Sequence, residues 1–100
     1  MTYVVVWEFD VPDARRDEFE RTYGPAGPWH DLFSTGDGYL GTELLRASSG
    51  SGYLTVDRWD HRNSFDAFMS ARTHDYRALD QRLEGIAVAE RRIGDFDTVG

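Results

Sequence analysis

Tyr39-Leu40-Gly41-Thr42-Glu43-Leu44-Leu45-Arg46-Ala47 and Tyr53-Leu54-Thr55-Val56-Asp57-Arg58-Trp59 are two strand-like runs parted only by Ser48-Ser49-Gly50-Ser51-Gly52. A connector of small residues suits a tight reversal, so the stretch reads as an antiparallel hairpin. In the second run Leu54, Val56 and Arg58 share a mainly apolar face, while Tyr53, Thr55, Asp57 and Trp59 share one that mixes aromatic with polar groups.

Working outward, Tyr3 to Val11 is rich in β-branched and aromatic residues and is stopped by Pro12. Tyr3, Val5, Trp7 and Phe9 lie on one face of this strand and Val4, Val6, Glu8 and Asp10 on the other. Its first half is apolar on both faces, which predicts cover on both sides. Asp13 to Tyr23 is polar except for Ala14, Phe19 and Tyr23, and Phe19 with Tyr23 makes a narrow helical stripe closed by Gly24. The long connection Gly24 to Gly38 carries Trp29, Leu32 and Phe33 at the spacing of one helical turn.

Beyond the hairpin, Asp60 to Asn63 offers caps, and Phe65, Phe68 and Met69 repeat at i, i+3, i+4. The pattern resumes at Tyr76, Leu79 and Leu83 after Arg72-Thr73-His74, as one interrupted helix or two joined ones. Ile86 to Val99 reads as a final strand. The order strand, helix, strand, strand, helix, strand over residues 1–100 is the βαββαβ plan of a single α+β, ferredoxin-like domain. Such a domain has an antiparallel four-stranded sheet with helices on one face, and a second copy, making a homodimer, is the simplest cover for the other.

Composition removes whole classes of function. The net charge of −7 repels phosphate backbones, and the arginines are scattered, so no nucleic-acid partner is expected. Cysteine is absent, which excludes thiol nucleophiles, disulfides and cysteine-held zinc or iron–sulfur clusters. All eleven cations are arginine, which excludes a Schiff base and a P-loop lysine. The histidines form no metal-ligand motif, and no glycine-rich phosphate cradle follows a strand, so neither a metal nor a nucleotide cofactor is expected. No apolar run approaches the ~20 residues of a membrane span, and the first residues do not resemble a secretion signal. A cytoplasmic location follows as the expectation.

The chain resembles the antibiotic biosynthesis monooxygenase family of dimeric α/β barrels. The likeness rests on Tyr3-Val4-Val5-Val6-Trp7-Glu8-Phe9, on Phe19 with Tyr23, on Gly38 to Leu44, on Tyr53 to Trp59, and on Phe65, Phe68 and Tyr76 after Trp59. It implies two sheets packed face to face and a small-molecule pocket between each sheet and its own helices. It also implies one of three activities: cofactor-independent oxidation of anthrones or hydroquinones to quinones, haem degradation, or no turnover. The positions at which the haem-degrading branch carries asparagine, tryptophan and histidine fall near Trp7, Phe68 and Ala78, and none matches. His74, one turn before the last of these, keeps haem binding as an alternative.

Among residues able to carry chemistry, His74 is the first candidate base, since imidazole is both acid and base near neutrality; otherwise it ends a helix in solvent. Tyr76 and Arg72 are candidates to orient or stabilise a substrate anion. Trp7, Tyr23, Trp59, Phe65, Phe68 and Met69, with Trp29, His30 and Phe33 from the long connection, are candidates to wall an aromatic pocket or to be ordinary core. His61 reads as exposed. Asp57 and Arg58 can pair with Glu43 and Arg46 across the hairpin, and Asp57 becomes a base candidate if it is buried without a partner. The leading expectation is a cytoplasmic, cofactor-free monooxygenase that oxidises a planar phenolic, polyketide-type substrate in secondary metabolism. A polyketide-type cyclase or isomerase and a non-catalytic aromatic-ligand or haem-binding protein are the alternatives.

Overall fold

The computed structural model describes residues 1–100. Strands β1 (Tyr3–Asp10), β2 (Tyr39–Arg46), β3 (Gly52–Trp59) and β4 (Ala89–Asp97) form one sheet in the order β2-β3-β1-β4, every pair antiparallel. A 3-10 turn, Asp13–Arg15, leads into α1 (Arg16–Tyr23), followed by α2 (Pro28–Phe33), α3 (Arg62–Ala71) and α4 (Thr73–Arg82). This is the α+β, ferredoxin-like arrangement that the strand and helix order implied.

Pairing of Tyr3 with Trp59, Val5 with Asp57 and Trp7 with Thr55 puts the odd-numbered residues of β1 and β3 on the helix-covered face. There they meet Phe19, Tyr23, Trp29, Phe33 and Phe68 in one aromatic core. Phe19 stacks on Tyr23 at 4.4 Å, and Phe33 meets Phe68 edge-on at 5.4 Å, geometries that suit the ring quadrupoles. Trp59 is fully buried at the centre of the second of these groups. The short α2 within the long connection exists because Pro28 starts it and Trp29 and Phe33, at i and i+4, both enter the core.

One strand boundary differs by more than two residues from the sequence reading. The last strand begins at Ala89 and not at Ile86, because its partner β1 ends at Asp10, which is paired with Ala89. Ile86 is instead a buried core residue in the turn before the strand. The second helical region is two helices, α3 and α4, broken at Arg72, whose φ of −120° leaves the helical range.

The opposite face of the sheet has no helix. Val4, Val6, Leu54 and Val56 line it with Leu45 and Phe96, and the ion pairs Arg91–Glu8 at 2.9 Å and Arg58–Glu43 at 3.2 Å lie on the same face. Leu45 and Phe96 are exposed there. No helix of the structure is long and apolar enough to cross a membrane.

Candidate functional site

Between the inner face of the sheet and α1, α2 and α4 lies a cavity of about 280 Å³. Its walls are aromatic: Trp7 and Phe9 from β1, Tyr23 from α1, Trp29 and Phe33 from α2, and Tyr76 from α4. Its polar lining is Thr42 and Thr55 from the sheet and the carboxylates of Asp57, Asp80 and Glu90. Tyr23, Asp80 and Glu90 also border a neighbouring, wider depression of about 560 Å³ along the end of α4, so they stand between the cavity and the outside.

Asp57 is the chemically distinctive group. Alternation along β3 turns it inward, and only 8% of it is exposed. It has no cation partner: Arg58, its neighbour, faces the other side and pairs with Glu43, while Arg46 pairs with Glu20 at 3.6 Å. Its one hydrogen bond is accepted by Oδ1 from Thr42 Oγ1 at 2.7 Å. Burial pushes its pKa from 3.8 up to about 6, against a smaller lowering by the Thr42 bond.

Thr42 can reach Asp57 because β2 is irregular. The register slips between Tyr39 and Gly41, with Gly41 at φ +134°, so Tyr39 and Thr42, three residues apart, both face inward. The Tyr39 hydroxyl is hydrogen-bonded to Thr42 Oγ1 and lies 3.5 Å from His30 Nδ1. A chain of polar groups therefore runs from half-buried His30 through Tyr39 and Thr42 to Asp57.

Tyr76 packs on Trp29 with ring centroids 5.0 Å apart. Burial, followed by the fields of Asp80, Asp57 and Glu90, pushes its pKa up to about 12, and burial does the same for Tyr23. Both hydroxyls stay protonated at neutral pH and are donors. Glu90 is shifted upward by burial and then by Asp80 and Glu84.

Of the residues singled out from sequence, Trp7, Tyr23, Trp29, Phe33 and Tyr76 line the cavity together. Trp59, Phe65, Phe68 and Met69 belong to or pack on the core outside it, and His30 stands behind Tyr39. Arg72 is tied to Asp75 at 3.0 Å in solvent, and His74 is exposed on the first turn of α4. The expectation that His74 and Tyr76 act side by side is corrected here. Residues two apart on a helix point to nearly opposite sides, so only one of them can face the cavity. Phe9, Thr42, Thr55, Asp80 and Glu90 were not foreseen as lining residues. For Asp80 the signal was present, since it lies one helical turn after Tyr76.

The fold has counterparts in known proteins. Residues 2–76 match the family model described as antibiotic biosynthesis monooxygenase. A mutant of SnoaB from Streptomyces nogalater, a cofactor-independent oxygenase, superposes with a TM-score of 0.76 at 18% identity, covering 97% of this chain and 92% of that one. A variant of MhuD with two manganese protoporphyrin IX bound per active site gives 0.73 at 20% identity, with coverage of 97% and 94%. The monooxygenase ActVA-Orf6 of Streptomyces coelicolor, in complex with nanaomycin D, gives 0.68 at 17% identity, with coverage of 98% and 88%. At these identities the superpositions establish the fold. No curated protein sequence matches the chain. The family match spans three quarters of the residues and takes in β1, the hairpin and the start of α4, so the chain belongs to the antibiotic biosynthesis monooxygenase family.

Proposed function

We propose that the protein is a cytoplasmic homodimer that oxidises a planar phenolic, polyketide-type substrate with dioxygen, using no resident cofactor. The observation that carries this reading is Asp57: a buried carboxyl group, with a pKa of about 6 and no cation partner, facing an aromatic cavity. A base is most effective when its pKa is near the working pH, and at pH 7 this carboxylate is largely ionised and ready to accept a proton.

In the proposed mechanism Asp57 removes the phenolic proton, or a C–H proton of an anthrone. Thr42 holds Oδ1 and leaves Oδ2 for the substrate. The Tyr76 hydroxyl donates to the developing oxyanion, and the aromatic walls exclude water and hold the ring flat. The electron-rich carbon then gives an electron pair to dioxygen and forms a C–O bond. Protonation by Asp57 makes the hydroperoxide. Loss of the remaining C–H proton, with O–O cleavage, yields a carbonyl and water. Overall CH2 and O2 become C=O and H2O, one oxygen atom in each product. The two hydrogens of the water come from the substrate.

Haem does not suit this cavity. No histidine lines it, and about 280 Å³ is at the lower limit for pockets that bury drug-sized ligands. In the homodimer the helix-free face, with Val6, Val56, Leu45 and Phe96, packs on its own copy. Oxygen uptake and quinone absorbance, followed together on a panel of anthrones and naphthols, test the reading. Uptake above the spontaneous rate, lost in Asp57→Asn, is the expected result. Product formation without oxygen uptake would replace oxygenase by cyclase, and binding without product would leave a ligand-binding protein.

A further inference from the structure

The charge around the cavity is of one sign. Asp57, Asp80 and Glu90 are its only ionisable side chains besides tyrosine; no arginine or histidine lines it. The chain has eleven arginines, and eight of them are paired with carboxylates elsewhere. None of those ion pairs includes Asp57, Asp80 or Glu90. Arg77, on the neighbouring depression, has no carboxylate within ion-pair distance. Three carboxylates without an ion-pair partner line one aromatic space that holds no cation of its own, whereas eight of the other fifteen carboxylates are ion-paired.

Burial makes the deficit costly. Asp57 is nine-tenths buried, and its Oδ2 accepts no hydrogen bond. Asp80 and Glu84 raise the pKa of Glu90 by repulsion, after burial, which means that the mouth is loaded with like charge. The rings of Tyr23, Trp29, Trp7 and Tyr76 line the same space, and aromatic rings attract ammonium groups through their faces. A bare divalent cation is not the missing charge, because no three acidic or histidine groups come close enough together to ligate one.

We infer that the substrate is an aromatic ring carrying a protonated amine, with the ring and its phenol toward Asp57 and Thr42 and the ammonium group at the mouth between Asp80, Glu90 and the Tyr23 ring. The inference rests on the proposed oxygenase reading only for what happens to the ring. The selection of charge is a property of Asp80 and Glu90, which take no part in the oxidation.

The test uses three naphthols of closely matched size, bearing an aminomethyl, a hydroxymethyl or a carboxylate group at the same position. Binding is followed by tryptophan fluorescence at low salt, above the range in which Asp57 titrates. The cation is expected to bind about tenfold more tightly than the neutral ring, and the anion about tenfold more weakly. In the double variant Asp80→Asn, Glu90→Gln, whose side chains are exposed in the native fold, the gap between cation and neutral ring should close to about twofold. An anion bound as well as the cation, or a preference that survives in the double variant, would overturn the inference. Oxygen uptake on the same three compounds separates the two ideas. Uptake with no charge-ordered binding overturns the inference and leaves the oxygenase; charge-ordered binding without uptake sustains the inference and overturns the oxygenase.

Discussion

Thr42 and Asp57 are direct cross-strand partners on β2 and β3, and the Thr42 hydroxyl donates to Asp57 Oδ1 at 2.7 Å. The only polar side chain that holds this carboxylate is therefore neutral. A neutral donor favours the ionised form far less than an arginine would, so burial wins and the pKa settles at about 6.

Replacing Asp57 with asparagine should sharply slow the reaction and stabilise the fold. Loss of the base is expected to cost on the order of 10²- to 10⁴-fold in oxygen uptake. The folded-state pKa lies above the unfolded value, so between about pH 3.8 and 6 the unfolded chain releases a proton that the folded one retains, and native stability falls as pH rises through that window. Above it the cost is on the order of 3 kcal/mol. Asp57→Asn removes that cost. Its melting temperature should exceed that of the native protein by on the order of 10 °C at pH 7 and match it below pH 4. Calorimetry across pH checks both arms.

The pH–rate profile should rise through an acid limb near pH 6, as Asp57 ionises. Thr42→Val removes the one bond that lowers its pKa, so the limb should move to higher pH, while Thr42→Ser should leave it in place. A limb that does not move in Thr42→Val would detach the observed ionisation from Asp57.

Tyr76→Phe keeps the ring against Trp29 and deletes only the donor. Catalytic turnover should fall about 10²-fold with little change in melting temperature, the scale seen when one oxyanion donor is lost. His74→Ala, on the exposed side of the same helix, should stay within about twofold of the native rate, well inside the effect of losing a general base. Steady-state oxygen uptake on the pair separates the two positions.

The helix-free face should carry the dimer. Light scattering is expected to give twice the chain mass of 11.4 kDa for the native protein, and the single mass for Val56→Arg combined with Leu45→Arg. Two buried guanidinium groups without partners cannot be accommodated in an apolar contact.

The fold was legible because the hairpin, the proline and glycine stops and the aromatic spacings all depend on local rules. The cavity was half legible: aromatic residues announce themselves, and Trp7, Tyr23, Trp29, Phe33 and Tyr76 were visible as candidates. The base was harder to see. Strict alternation from Tyr39 turns Thr42 away from Asp57, and only the irregularity at Gly41 brings it inward. His74 drew attention through its chemistry, although its position two residues from Tyr76 already argued against a shared site. Glu90 lies far along the chain and reaches the mouth only through the β1–β4 pairing of Phe9 with Glu90.

The slip at Gly41 also separates two demands that evolution would otherwise have to satisfy with one residue. Tyr39 packs on Trp59 at 5.2 Å and serves the core; Thr42 serves the carboxylate. With a spare residue held between them on an edge strand, changes in the long connection before β2 can be absorbed upstream of Thr42. The same arrangement makes β2 the natural place to retune the strength of the base while leaving the aromatic interior as it is.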